Sequence, residues 1–237
     1  MAKTKDEYNY NYAYHYKSYR PPLHEILLDR ILKDQKFKTV LDIGCGTGSS
    51  SIALTKYCES VTGYDPSQSM IQKSQKHLKI KYTNELNQLK DDYNLIVFFG
   101  SLFYINDKSF ILYQNKLLKE GYLLCCDFKI AYTPILSKLK VSLDEIEYDH
   151  YKNLESYNTN SFEQVNSEKF ETEFSCQIVE VTHLILTEIQ IIEKLNAKYK
   201  SSNIFQYLIN DLEAHYSKNK IKLKANMFYS YYKKISN

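Results

Sequence analysis

The stretch Leu41-Asp42-Ile43-Gly44-Cys45-Gly46-Thr47-Gly48-Ser49-Ser50 decides the fold. A short apolar run, Val40 to Ile43, ends in glycines, and a helix-forming segment resumes from Ile52 to Tyr57. The chain of 237 residues holds only six glycines, and Gly44, Gly46 and Gly48 fall within five positions. Glycine permits positive φ and lets a ligand approach the backbone closely. A strand, a glycine turn and a helix start together mark the place where a doubly wound sheet binds a nucleotide-like ligand.

The same alternation continues outward. Val61 to Tyr64 reads as a second strand ending at Asp65, and Pro66-Ser67 opens a helix through about Leu78. Ile80 to Tyr82 reads as a third strand. Leu95 to Phe99 is apolar throughout, as a strand covered on both faces requires. A helix over Asp107 to Leu118 and a fifth strand over Tyr122 to Phe128 follow, with Gly121 between them. Upstream, Pro21-Pro22 suits a helix start, and Leu23, Ile26, Leu27 and Ile31 keep helical spacing. Strands and helices at such intervals predict an α/β fold with a mostly parallel sheet and helices on both faces.

Beyond residue 130 the pattern changes. Residues 131–170 and 187–217 read as helical elements that could form a lid. Residues 171–186, with the apolar stretch Ile178 to Leu186, and residues 220–235 read as strands. No linker or repeat divides the chain, so one domain spanning 1–237 is expected, with a Tyr-rich segment over 1–20 and a cofactor-binding core over 21–130.

Composition sets limits. The chain is 43% hydrophobic and 25% charged, with net charge +3. A dedicated nucleic-acid or membrane-surface protein carries a stronger bias, so neither partner is expected. Five scattered cysteines without a CxxC pair, and no apolar leader, predict a soluble cytoplasmic protein without a metal site. Twenty-three tyrosines, no tryptophan and 29 lysines against two arginines point to an AT-rich genome, where a tyrosine cluster says little about function.

Two carboxylates qualify the glycine loop. Asp42 lies two residues before Gly44, and Asp65 ends the next strand. A dinucleotide fold asks for G-x-G-x-x-G or Ala, whereas Ser49 occupies the sixth place here. Two carboxylates would repel a phosphate but attract a sulfonium that carries an ammonium group. A nicotinamide-dependent oxidoreductase is therefore the weaker reading.

These residues resemble the first motif of class I S-adenosylmethionine (SAM) dependent methyltransferases. Val61-Thr62-Gly63-Tyr64-Asp65-Pro66-Ser67, followed by Met70, is similar to the family's second motif. Asn84-Glu85-Leu86 stands where the family often has Asp-Ala-Glu, and Asn94 and Leu117 to Leu123 resemble its later landmarks with substitutions. The resemblance covers roughly residues 19–128 and implies a Rossmann-like, seven-stranded sheet with a helical insertion. It implies that Asp42, Gly44, Cys45, Gly46 and Gly48 hold the amino-acid part of SAM, and Asp65, Pro66 and Met70 the ribose side. Asn84, Glu85 and Leu86 would meet the adenine, and Gly100, Ser101 and Tyr19 the methionine and acceptor side. The product would be S-adenosylhomocysteine (SAH).

The acceptor half carries weaker signals. Tyr19-Arg20-Pro21 resembles the start of a small-molecule branch that includes trans-aconitate methyltransferases, but Phe103-Tyr104 replaces that branch's His-Trp. Methyl transfer needs alignment of the acceptor and, for a phenol, alcohol or ammonium, removal of a proton. Tyr104, His15 and Arg20 are the candidate catalytic residues. His150 and His183 are read as structural. Tyr8, Tyr10, Tyr12, Tyr14 and Tyr16 alternate and could form an aromatic lid. The expected activity is methylation of a small molecule. The alternative is a non-catalytic SAM- or SAH-binding module that acts through a partner.

Overall fold

The computed structural model describes residues 14–15, 18–142, 149–157, 160–201, 203–216 and 219–235. Seven strands form one sheet in the order β3-β2-β1-β4-β5-β7-β6. The strands are β1 (Phe37–Ile43), β2 (Cys58–Tyr64), β3 (Ile80–Thr83), β4 (Tyr93–Phe99), β5 (Leu117–Ile130), β6 (Phe162–Gln177) and β7 (Lys220–Lys234). The helices are α1 (Leu23–Leu32), α2 (Ser49–Leu54), α3 (Gln68–Gln72), α4 (Asp107–Gln114), α5 (Thr133–Lys138), α6 (Ile178–Ile185), α7 (Ile189–Tyr199) and α8 (Ile204–His215). The first five strands pair in parallel, and β7 runs antiparallel to both β5 and β6. This is the expected α/β architecture.

Strand composition explains the layering. Leu95, Ile96, Val97 and Phe98 of β4 are wholly buried, because apolar cores cover both faces of the sheet. One core joins Leu95 and Val97 to Leu23, Leu27 and Leu28 of α1, and runs on to Val181 of α6 and Leu212 of α8. The other joins Ile96 and Phe98 to Phe110 and Tyr113 of α4.

The register brings the strand ends together. Ile43 pairs with Tyr64 and with Phe98, Tyr64 pairs with Thr83, and Phe99 pairs with Cys126. Gly44, Asp65, Asn84, Gly100 and Asp127 therefore follow side by side along one edge of the sheet. The strand order reverses between β1 and β4, which is where such sheets form a crevice.

Several expected elements are corrected. Ile178 to Leu186 is not a strand, because Ile178–Ile185 is helical. Its apolar run suits a strand or a buried helix equally. The choice is made by a capping box, in which Gln177 N donates to Glu180 Oε2 at 2.6 Å and the Gln177 side chain accepts from the backbone of the third residue. The sixth strand instead spans Phe162–Gln177, much of it placed among helical elements by the sequence. Phe174 and Cys176 are its buried residues; the strand alternates from Glu168 to Gln177 but is exposed throughout Glu163 to Ser167, so its period of two shows over the second half alone. The helical elements expected over 131–170 shrink to Thr133–Lys138 plus a 3-10 turn at Leu154–Ser156, and residues 143–148 and 158–159 lie outside the described residues. Helix α3 ends at Gln72 rather than near Leu78.

Candidate active site

The glycine loop is built by its neighbours. Gly44 takes φ +74°, and a Cβ there would lie 2.4 Å from Ser101 Cβ. Gly48 takes φ +89°, and a Cβ there would lie 2.1 Å from the Tyr82 hydroxyl oxygen. Both positions exclude a side chain twice over, by conformation and by contact. Gly46, at φ +55°, differs: nothing lies within 4 Å of its Cβ position. Its bare face is open space into which a ligand can come against the backbone.

Asp65 ties this loop to the end of β2. Its Oδ2 accepts from Gly46 N at 2.9 Å and its Oδ1 from Ser67 N at 2.8 Å. Burial raises its pKa, and the two backbone donors oppose that rise. Asp42 lies below the loop, wholly buried. Its Oδ2 accepts from Ser50 Oγ at 2.7 Å and Ser51 Oγ at 2.6 Å. Desolvation pushes its pKa up to about 6, against the two serine bonds and with help from the Asp65 charge.

The hydrogen-bond inventory bears on what the crevice can hold. Asp42 Oδ1, Ser49 Oγ and the Tyr82 hydroxyl are buried without a hydrogen-bond partner among the described residues. Buried polar atoms are almost always paired. All three lie at the strand ends and glycine loop. Two carboxylates beside a glycine turn suit a ligand with hydroxyl donors and a positive charge.

The other residues singled out from the sequence fall in different surroundings. Asn84, Glu85 and Leu86 follow β3 at the same edge, with Leu86 exposed. Pro66 precedes α3, and Met70 is buried within it. Cys45 turns its Sγ inward, 3.0 Å from the Cβ position of Gly63, and burial raises its pKa. Ser101 Oγ donates to the Ile43 carbonyl and stitches β4 to β1. Asn94 sits at the opposite, amino-terminal end of the sheet, where its Oδ1 accepts from Thr39 N at 3.0 Å. That departure from the family pattern is therefore remote from the crevice.

The candidate catalytic residues have separate neighbours. Tyr104 stands on the 3-10 turn Leu102–Tyr104 after β4, edge-on to Phe103. His15 meets His183 of α6, with Nδ1 atoms 2.9 Å apart. Arg20 lies near His24, whose pKa burial and the arginine charge lower to about 3. The Tyr19 hydroxyl meets Cys176 Sγ at 3.3 Å on β6. Tyr14 packs edge-on to His15, while Tyr8, Tyr10, Tyr12 and Tyr16 lie outside the described residues.

Sequence reasoning passed over two groups. The sequence places Tyr82 only within a strand, yet its ring covers Gly63 and its hydroxyl reaches Gly48. Asp127 was read as part of a strand and His150 as structural. The structure pairs them, His150 Nδ1 to Asp127 Oδ2 at 2.8 Å, beside Gly100. No local motif could have joined residues 23 positions apart.

Comparison with known proteins decides the family. A model of the methyltransferase domain matches residues 14–172, about two thirds of the chain. The chain belongs to this methyltransferase family. The domain is 28% identical over 112 residues to a Dictyostelium discoideum protein named as a methyltransferase. That match covers 45% of this chain and 43% of the relative, so it spans less than half of that protein.

Among solved structures, the methyltransferase domain resembles one from Anaeromyxobacter dehalogenans described as a type II methyltransferase. The TM-score is 0.59 at 11% identity, over 92% of this chain and 98% of the other. It also resembles Haemonchus contortus phosphoethanolamine N-methyltransferase 2, determined with phosphomonomethylethanolamine and SAH. There the TM-score is 0.54 at 16% identity, over 98% of this chain and 59% of the other. At such identities these likenesses show the shared Rossmann-like methyltransferase fold. Among the described residues, no His, Cys, Asp and Glu group could hold a metal ion, and no helix is long and apolar enough to cross a membrane.

Proposed function

We propose that this methyltransferase domain uses SAM to methylate a small-molecule acceptor, releasing SAH. The observation that carries the reading is the glycine loop held between two buried or half-buried carboxylates, with an open face at Gly46. Gly44, Gly46 and Gly48 would cradle the amino-acid part of SAM, with Asp42 supplying negative charge beneath the ammonium. Asp65 keeps unused lone pairs on both oxygens for the ribose hydroxyls. Asn84, Glu85 and Leu86 follow the neighbouring strand and would border the adenine, and Gly100 and Ser101 the methionine.

When bound, SAM supplies an activated methyl group on sulfonium sulfur. The protein's task is then to align an acceptor opposite the departing sulfur and to keep water away. The likeness at Tyr19-Arg20-Pro21 to a small-molecule branch supports a small acceptor, as does the lack of a strong basic bias. Five free, buried cysteines favour a reducing compartment such as the cytoplasm.

A thermal-shift titration with SAM, SAH and NAD tests the reading. Ligand at 100 times its dissociation constant should stabilise by about 2.7 kcal/mol. Stabilisation by SAM and SAH alone is the expected result. Stabilisation by NAD alone would overturn it. Binding of SAM with no transfer to any acceptor would favour a non-catalytic binding module.

A further inference from the structure

We propose that the cavity beneath the end of α1 is a second ligand site, built for an apolar molecule that carries one carboxylate.

The cavity holds about 520 Å³ and opens to solvent between α1, β6 and β7. That volume suits a small organic molecule. Its floor is Ile31, Tyr229 and Tyr231, all buried. Its rim is Arg30, Lys33 and Gln35 on one side and Val165, Asn166 and Glu168 on the other. Gln35 lies two residues before β1, whose far end, Ile43, leads into the glycine loop. A strand rises about 3.3 Å per residue, so the cavity and the cofactor crevice sit at opposite ends of the sheet, roughly 20 Å apart. The SAM reading uses none of these residues.

The floor is fixed in advance. The Tyr231 ring stacks on Tyr122, with centroids 5.1 Å apart, and its hydroxyl donates to Gln35 Oε1 at 2.7 Å. The Tyr229 hydroxyl accepts from Asn166 Nδ2 at 2.9 Å. Arg30 lies over the Phe170 ring and forks onto Glu168, Nε to Oε2 at 2.7 Å and Nη2 to Oε1 at 2.5 Å. The rim thus occupies both tyrosine hydroxyls, and the floor offers hydrocarbon and ring surface to an apolar body. Val165 extends that surface. The β6–β7 register shifts between Gln164 and Asn166, and the Val165 side chain stands 53% exposed at the mouth.

The same bonds decide what the rim has left to give. The Gln35 oxygen is taken, so its Nε2 keeps two donors, and Arg30 Nη1 keeps two more. Lys33, at φ 45° just past α1, has no partner among the described residues. Three donor groups at positions 30, 33 and 35 face one spare acceptor, Asn166 Oδ1. The lining carries two cations against one carboxylate, which Arg30 already holds. This surplus of donors and of one positive charge selects a ligand with acceptor oxygens and a single negative charge. A carboxylate meets both conditions. An ammonium would face Arg30 and Lys33, and a phosphate ester would bring a second charge without a partner.

The test uses the full chain with carbon-labelled methyl groups, read by NMR. Val165 and Ile31 report on the cavity and Ile43 on the crevice, each assigned by its loss in V165A, I31V or I43V. The probes are 2-naphthoate, its uncharged analogue 2-naphthamide and the cation 2-naphthylmethylamine. Naphthoate should move Val165 and Ile31 along one saturable curve and leave Ile43 in place, with or without saturating SAH. The amide should bind about tenfold more weakly, as befits loss of a charge-assisted contact, and the amine should not bind. K33Q should weaken naphthoate by roughly two- to fivefold, the range of an exposed charge contact. V165F, which puts a ring at the mouth, should abolish binding without lowering the melting temperature. The proposal fails if naphthoate gives no saturable shift up to millimolar concentration, if the amide binds as tightly, or if K33Q and V165F both bind like the wild type. A shift of Ile43 that SAH displaces would place the probe in the crevice and would overturn it equally.

Discussion

The carboxylate of Asp65 holds the backbone N–H of Gly46 at 2.9 Å, so the glycine loop is anchored by the residue proposed to bind the ribose. One side chain shapes the loop and presents the remaining lone pairs. Substitution Asp65→Ala should therefore have two effects. SAH affinity should fall by about 1–3 kcal/mol, the cost of removing a charged acceptor, and amide exchange at Gly46 should accelerate. Calorimetric titration and hydrogen exchange measure these separately. Unchanged affinity would refute the ribose role even if the loop loosens.

Asp42 predicts a pH dependence with a defined sign. Its pKa rises from about 3.9 in the unfolded chain to about 6 in the ligand-free fold. The folded state then holds the proton more tightly, so stability falls as pH rises from about 4 to about 6. The difference amounts to something on the order of 3 kcal/mol for this wholly buried group. Urea denaturation of the wild type and Asp42→Asn across this window should show the wild type losing stability relative to the variant. A cation bound in the loop favours the ionised carboxylate, so SAH affinity should rise with pH through the same range. A parallel pair of curves for the two proteins would contradict the assignment.

Gly48 and Tyr82 should behave as a coupled pair. Substitution Gly48→Ala forces a side chain into positive φ, which costs on the order of 1–3 kcal/mol, and drives it into the Tyr82 hydroxyl. Substitution Tyr82→Phe removes that hydroxyl, which has no hydrogen-bond partner, and should be close to neutral alone. The double variant should recover part of the Gly48→Ala loss and keep the conformational part. Strict additivity in a double-mutant cycle would show that the contact does not exist in solution.

The His15–His183 pair gives a slope of opposite sign. Burial, then the neighbouring His183, lowers the His15 pKa to about 4, and burial lowers that of His183. The folded state binds fewer protons there than the unfolded chain. Stability from this pair is present above about pH 6.5 and is lost as pH falls towards 4. The margin of the wild type over His15→Gln in melting temperature should shrink over that interval, whereas the Asp42 contribution grows. A margin independent of pH would mean that the His15 ring is not buried in the folded protein.

Residues 37–130 were largely legible because their signals are local. A parallel strand covered on both faces must be apolar along its length, as Leu95 to Phe99 is, and a positive-φ turn announces itself by glycine. The capping residues Ser67 and Asn106 also act within three positions. Past Ile130 the signals weaken. In Ile178–Ile185 the side chains of Ile178, Val181, Leu184 and Ile185 turn inward at helical spacing against β6, β7 and α8 while Val179 stays exposed, but an apolar run of eight residues is too short for its period alone to tell a helix from a strand. Its helical state is settled by Gln177 and Glu180 at its start. The edge strand β6 alternates from Glu168 to Gln177, and antiparallel pairing with β7 carries it on through the exposed residues Glu163 to Ser167, which have no pattern of their own.

The sequence by itself determined which groups meet at the crevice: Asp42, the loop glycines Gly44, Gly46 and Gly48, and Asp65, placed at strand ends that a parallel sheet must align on one side. Backbone conformation and burial of nearest neighbours suffice for that much. Only the tertiary structure decided that Asp65 ties down Gly46, that Tyr82 closes on Gly48, and that His150 comes to Asp127 beside Gly100. Those relations join residues 19, 34 and 23 positions apart, and no local rule of conformation or period connects them. They exist because strand register and the packing of later elements bring separate segments to the same edge of the sheet.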